Sequence, residues 1–172
     1  MHVPQRPSGL RFLENLAYLV PSYQRYRDRK LRQEEDSRLR ARVYGQLMQM
    51  LQTLEKMRDR WIQEAEWGDH MEHLDQRQMR IQTTAESARY CHHALNGFFS
   101  REILDTRVLD QILEVDLLIL NDLEVSLDFL TEHCATVTTA PRTARSFFRV
   151  LDEGCGQLER HLITREKILA AA

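Results

Sequence analysis

Apolar side chains recur along this chain at steps of three and four, in four long runs separated by short breaks. The first long run lies within residues 22–67, where Leu39, Val43, Leu47, Met50, Leu54, Met57 and Trp61 mark one continuous helix face. Gly68 reads as a left-handed stop, and Asp69 with Glu72 as a capping box that opens the next helix. That second helix carries Leu74, Ile81, Ala85, Ala88, His92 and Leu95, with Gly97 as its end and Phe98 and Phe99 covering one end of the core. Ser100 is placed to cap a third helix, the most apolar of the four, through Leu109, Ile112, Leu113, Leu117, Ile119, Leu120, Leu123, Leu127, Phe129 and Leu130. Pro141 fits the first turn of the last helix, whose face repeats Ala144, Phe148, Leu151, Cys155, Leu158, Leu162 and Leu169.

Ahead of these runs sits a shorter amphipathic stretch. Leu10, Phe12, Leu13, Leu16, Ala17, Leu19 and Val20 share one half of a helical wheel, with Arg11, Glu14, Asn15 and Tyr18 on the other, and Pro21 ends or redirects it. The chain therefore divides into a tail and amphipathic helix over 1–21 and a helical domain over 22–172. Four long helices with short connections predict an all-α fold, an antiparallel four-helix bundle in up-down-up-down order with coiled-coil-like seams.

Composition agrees with this and excludes some classes. With 6 Gly and 4 Pro among 172 residues, the chain has little turn material for an all-β fold. The three cysteines, Cys91, Cys134 and Cys155, cannot all pair and form no C-x-x-C, so reduced thiols in a cytoplasmic protein are expected. No apolar window reaches the length of a spanning helix, and Glu14 and Asn15 interrupt the N-terminal run that a signal peptide would need. The basic residues are nearly all arginine, which fits a GC-rich bacterial genome as well as any selected chemistry.

Charge is uneven. Residues 1–60 hold 13 Arg and Lys against 7 acids, whereas the stretch from Val108 to Pro141 contains no cation and seven acids. Opposite-sign faces packed against each other inside the fold are the simplest reading, and a docking surface is the alternative. Among those acids Asp116 stands apart, because it interrupts the apolar face between Leu113 and Leu120. A buried acid needs a partner, and an arginine from the basic N-terminal half is expected to supply it.

Few residues point to chemistry. His70 and His73, beside Asp69 and Glu72 at a helix start, are weak metal candidates, outweighed by the capping role of the two acids. No Glu-x-x-His motif is present, which argues against a ferritin-like di-iron site. Cys91-His92-His93 offers a thiol beside imidazoles, but adjacent residues on a straight helix do not meet as nucleophile and base; a core histidine is the simpler reading. Gly154 and Gly156 flank Cys155 mid-helix, where close helix packing is favoured over a kink or a ligand approach. Neither a cofactor nor a catalytic residue is expected.

The interaction residues expected from sequence are Leu10, Phe12, Leu13, Leu16 and Leu19, with the basic strip Arg25, Arg27, Arg29, Lys30 and Arg32. They fit a protein partner or self-association. The function they imply is a non-enzymatic structural or adaptor module acting through helix–helix contacts. A peripheral membrane protein using the same segment is the runner-up, and a metal-binding or redox helical protein comes third. Nucleic acid is disfavoured because the whole chain carries a net charge of -2.

The stretch Leu16-Ala17-Tyr18-Leu19-Val20-Pro21-Ser22-Tyr23-Gln24-Arg25-Tyr26, followed by Arg32, Glu34, Glu35, Asp36 and Leu39-Arg40, resembles the N-terminal signature of uncharacterised bacterial helical proteins. Their pattern runs Leu-x-Pro-Gly-Tyr-x-Gly-Tyr, with Ser22 and Arg25 here in place of the two glycines. The resemblance covers about a fifth of the chain. It implies a helical bacterial protein and no activity.

Overall fold

The computed structural model describes residues 25–63, 68–90, 96–137 and 143–172. Among these residues the chain is almost entirely helical, with an irregular connection at 101–105 and without a strand. After a helical turn at residues 25–27, the elements are α1 (Arg29–Trp61), α2 (Gly68–Tyr90), the short α3 (Asn96–Ser100), α4 (Thr106–Val137) and α5 (Ala144–Ala171). The amphipathic stretch at 10–20 lies outside the described residues, as do Cys91, His92, His93 and Pro141.

Local chemistry sets the helix starts, sometimes at positions other than those expected. Asp28 leaves the helical conformation, and its carboxylate accepts from the Lys30 amide at 2.9 Å, so it caps α1. Asp105 does the same for α4, accepting from the Arg107 amide at 2.9 Å. The cap of α4 is thus Asp105 rather than Ser100, which lies within α3. Gly68 takes no left-handed conformation; no described glycine does, and Gly68 is the first residue of α2. Gly97 likewise falls inside α3, beyond the Tyr90 end of α2.

The closest-packed pairs are α4 with α5 and α1 with α2, followed by α1 with α4 and then α2 with α5. Residue pairings give their directions. Arg40 meets the Ala88 carbonyl and Arg58 meets Asp75, so α1 and α2 run antiparallel. Asp116 with Arg165 and Phe129 with Phe147 make α4 and α5 antiparallel as well. Between the two hairpins the relation is parallel: Arg77 meets Asp152 and, a turn or two later, Arg80 and Thr84 meet Glu159. Side-by-side contact between hairpins thus joins α1 to α4 and α2 to α5, while α2 and α4, neighbours in sequence among the long helices, are not a principal contact.

Two apolar clusters fill the interior. The larger holds Val43, Leu47, Met50, Leu54, Met57 and Trp61 of α1, Leu74, Ile81 and Ala85 of α2, Ile119, Leu123 and Leu130 of α4, and Phe147, Phe148, Leu151 and Leu158 of α5. The smaller gathers Tyr26, Phe98, Leu104, Leu109, Ile112 and Leu169 at the other end. Phe98 is fully buried and Phe99 packs beside it, so this pair does close one end of the core.

A buried ion layer as the candidate functional site

Between the two apolar clusters lies a layer of charged side chains with almost no exposure: Asp36 and Arg40 from α1, Asp116 from α4 and Arg165 from α5, with Tyr26 beside them. Arg165 is its centre. Its Nε donates to Asp116 Oδ1 at 2.6 Å, Nη1 donates to Asp36 Oδ1 at 2.6 Å, and Nη2 donates to the Tyr26 hydroxyl at 2.9 Å. That hydroxyl donates in turn to Asp116 Oδ2 at 3.0 Å, closing a ring of three groups. The second oxygen of Asp36 accepts from Arg40 Nε at 2.8 Å, and Arg40 Nη1 reaches the Ala88 carbonyl of α2 at 3.1 Å. All four long helices are tied together at this level.

The electrostatics follow from burial. Loss of water lifts the Asp116 carboxyl above the ordinary carboxylate range, against the lowering pull of Arg165 and the Tyr26 hydroxyl. Burial and the neighbouring Asp116 push the Tyr26 phenol well above its ordinary value, so it serves as a donor and not a base. Burial pulls the Arg165 guanidinium downward, but Asp116, Tyr26 and Asp36 together hold it well above its ordinary range and firmly protonated. The layer is a set of charges locked by mutual hydrogen bonds, each carboxylate committed to a guanidinium.

Asp116 is interior and paired with arginine, as its position in the apolar pattern implies. Its partner, however, is Arg165 of the last helix, not an arginine of the N-terminal half. Arg165 continues the α5 face at the steps 158, 162, 165 and 169, where an apolar residue would otherwise stand. The signal was in that substitution. Arg32, Asp36 and Arg40 in the same way extend the α1 face backwards from Val43 in steps of four and three.

Arg32 needs a separate correction. Grouped with a surface basic strip by sequence, it is 0% exposed. Its guanidinium donates to four backbone carbonyls: Tyr26 at 2.6 Å, Arg27 at 3.3 Å, Phe98 at 3.3 Å and Arg101 at 2.5 Å. It also lies over the Phe98 ring at 5.8 Å from the centroid. Arg32 is therefore an internal clamp. Arg25 is half-buried and ion-paired with Glu34 and Glu35, while Arg27, Arg29 and Lys30 are exposed. Leu10, Phe12, Leu13, Leu16 and Leu19 lie outside the described residues.

The remaining candidates are dispersed. His70 has its ring 6.3 Å from that of Trp61, and His73 lies 6.3 Å from Phe148. Among the described residues no three His, Cys, Asp or Glu side chains converge as a metal site would require. Cys155 is buried, and loss of water raises its thiol to about 11, which leaves little thiolate at neutral pH. Gly154 shows close packing: a Cβ there would stand 2.8 Å from Ser126 Oγ on α4. On α5, His161 Nδ1 and Asp122 Oδ2 meet at 2.6 Å across the α4–α5 contact, partly exposed.

No described helix is long and apolar enough to cross a membrane. No family model, curated protein or solved structure matches the chain.

Proposed function

We propose that the four long helices form one bundle, ordered α1–α2–α5–α4 around its axis, and that this bundle is a non-enzymatic structural or adaptor module. The observation that carries this reading is the closure of the ion layer. Asp36, Asp116, Arg165 and Tyr26 answer one another's hydrogen-bonding needs at distances of 2.6 to 3.0 Å, and Arg40 extends the set to α2. Such an arrangement fixes the register of four helices instead of presenting a group to a substrate. A frame held this way supports contacts made elsewhere, by the amphipathic segment Leu10, Phe12, Leu13, Leu16 and Leu19 and the exposed cations Arg27, Arg29 and Lys30 that follow it. The partner is a protein or a second copy of the chain.

A peripheral membrane role is the second reading. It is favoured by Arg27, Arg29 and Lys30, which are exposed directly after the segment and suit anionic headgroups. Deleting residues 1–21 separates the two. The adaptor reading expects the shortened chain to unfold cooperatively near the full-length midpoint and to lose self-association or partner capture in sedimentation and cross-linking. Flotation of the full chain with anionic vesicles, abolished by Phe12→Ala and Leu16→Ala, would move the assignment to the membrane. Collapse of the fold on deletion would make the segment part of the core.

A further inference from the structure

Arg40 is the one member of the ion layer whose hydrogen bonding is incomplete. Its Nε and Nη1 are committed to Asp36 and the Ala88 carbonyl, but no protein acceptor reaches its buried Nη2. A buried guanidinium nitrogen without an acceptor is costly, more so than a neutral donor in the same place. Beside it is a cavity of about 20 Å³, lined by Leu39, Val43, Ala88 and Leu162 with the polar groups of Arg40, Ser87, Arg165 and Glu166. That is room for about one water molecule.

We infer that this cavity is a binding site for a single ordered water that accepts from Arg40 Nη2 and donates to the Glu166 carboxylate, extending the ion layer to the half-buried rim of α5. The wall chemistry selects water over a small anion. Among the lining residues the Arg40 guanidinium asks for an acceptor and the Glu166 carboxylate asks for a donor; water is both and carries no charge. A halide would be drawn to Arg40 and Arg165 but would face Glu166, with Asp36 already bound to both arginines.

Crystals of the full chain grown with bromide, and solved at a resolution that orders solvent, test this directly. The expected result is a solvent peak within hydrogen-bond distance of both Arg40 Nη2 and a Glu166 carboxylate oxygen, without bromide anomalous signal. Glu166→Gln should keep the peak, since its amide oxygen still accepts, and Glu166→Leu should lose it or reduce its occupancy severalfold. An anomalous bromide peak in the cavity overturns the assignment in favour of an anion. A direct Arg40–Glu166 contact with no solvent between them overturns it in favour of a dry ion pair. Both glutamate variants alter a half-exposed position, so they are read in a folded chain.

Discussion

The ion layer and the Trp61 end of the core are both buried, yet they are held in different ways. Around Trp61 the contacts are broad and forgiving. The indole meets Phe148 edge-on at 6.0 Å, Phe147 and Phe148 pack at 5.7 Å, and Arg77 covers the outer face of Phe148 at 4.8 Å. Rings and methionines of this sort tolerate a shift of several tenths of an ångström with little loss. In the ion layer a similar shift breaks charge-assisted bonds of 2.6 Å between side chains shielded from bulk solvent. Apolar packing supplies most of the driving force for the fold; the proposed role of the ion layer is to set which helix faces which at what height.

The largest expected effect comes from breaking the layer at its centre. Arg165→Met leaves Asp116 and Asp36 buried beside a phenol, and it should cost about 3–5 kcal/mol in denaturant unfolding. Met57→Leu, an equally buried change of similar volume at the other end, should cost less than about 1.5 kcal/mol. Similar losses for the two variants would show that the layer is not specially tied to register. Replacing Arg165, Asp116, Asp36, Arg40 and Tyr26 together by apolar residues of matched volume, so that no buried charge is left unpaired, should recover much of the stability lost in Arg165→Met.

The two mid-helix glycines of α5 sharpen the comparison on a smaller scale. A Cβ at Gly156 would meet Arg80 Nη2 at 3.4 Å, the far end of a flexible side chain, whereas one at Gly154 would meet Ser126 Oγ at 2.8 Å across the tight α4–α5 contact. Gly156→Ala should therefore stabilise by up to about 1 kcal/mol, the helix-propensity gain. Gly154→Ala should gain nothing or lose stability, with Ser126→Ala restoring the gain. Equal thermal midpoints for the two alanine variants would mean that the α4–α5 approach is looser than described.

The smallest effect is in pH. The Arg80 hydrogen bonds at 2.7 Å hold Glu159 below its ordinary range, with burial working the other way. Its folded-state value is depressed, so the pair's contribution is present above the unfolded carboxylate range and is lost as pH falls through the folded value. Glu159→Gln should flatten the acid limb of the stability curve below roughly pH 4.5. The pair is about one third exposed, and solvent screening makes the change modest. Asp116 has the opposite sign: its raised value makes its own contribution fall as pH climbs above the unfolded range.

Helices were legible from spacing alone, because the apolar steps of α1 from Val43 to Trp61 and of α5 from Ala144 to Leu158 coincide with buried positions. Burial of Asp116 was legible for the same reason. What spacing could not supply was pairing across the fold. Asp116 finds its arginine 49 residues downstream, and Asp36 finds the same one 129 residues downstream, through contacts that depend on which hairpin faces lie together. Periodicity counted polar residues as surface, which hid Arg32, Asp36, Arg40 and Arg165. The end of α2 and the start of α4 were read from Gly97 and Ser100, while the aspartates at 28 and 105 were the residues in place to cap α1 and α4.

The Arg32 clamp has a consequence in time. Two of its four acceptors, the carbonyls of Phe98 and Arg101, lie 66 and 69 residues further along the chain. A ribosome delivers Arg32 long before it delivers them. Until α3 and its exit have emerged, the start of α1 has a guanidinium without these two acceptors, and the turn at residues 25–27 has no wall to lean on. The N-terminal approach to the core thus locks late in synthesis, after the first hairpin is available to fold.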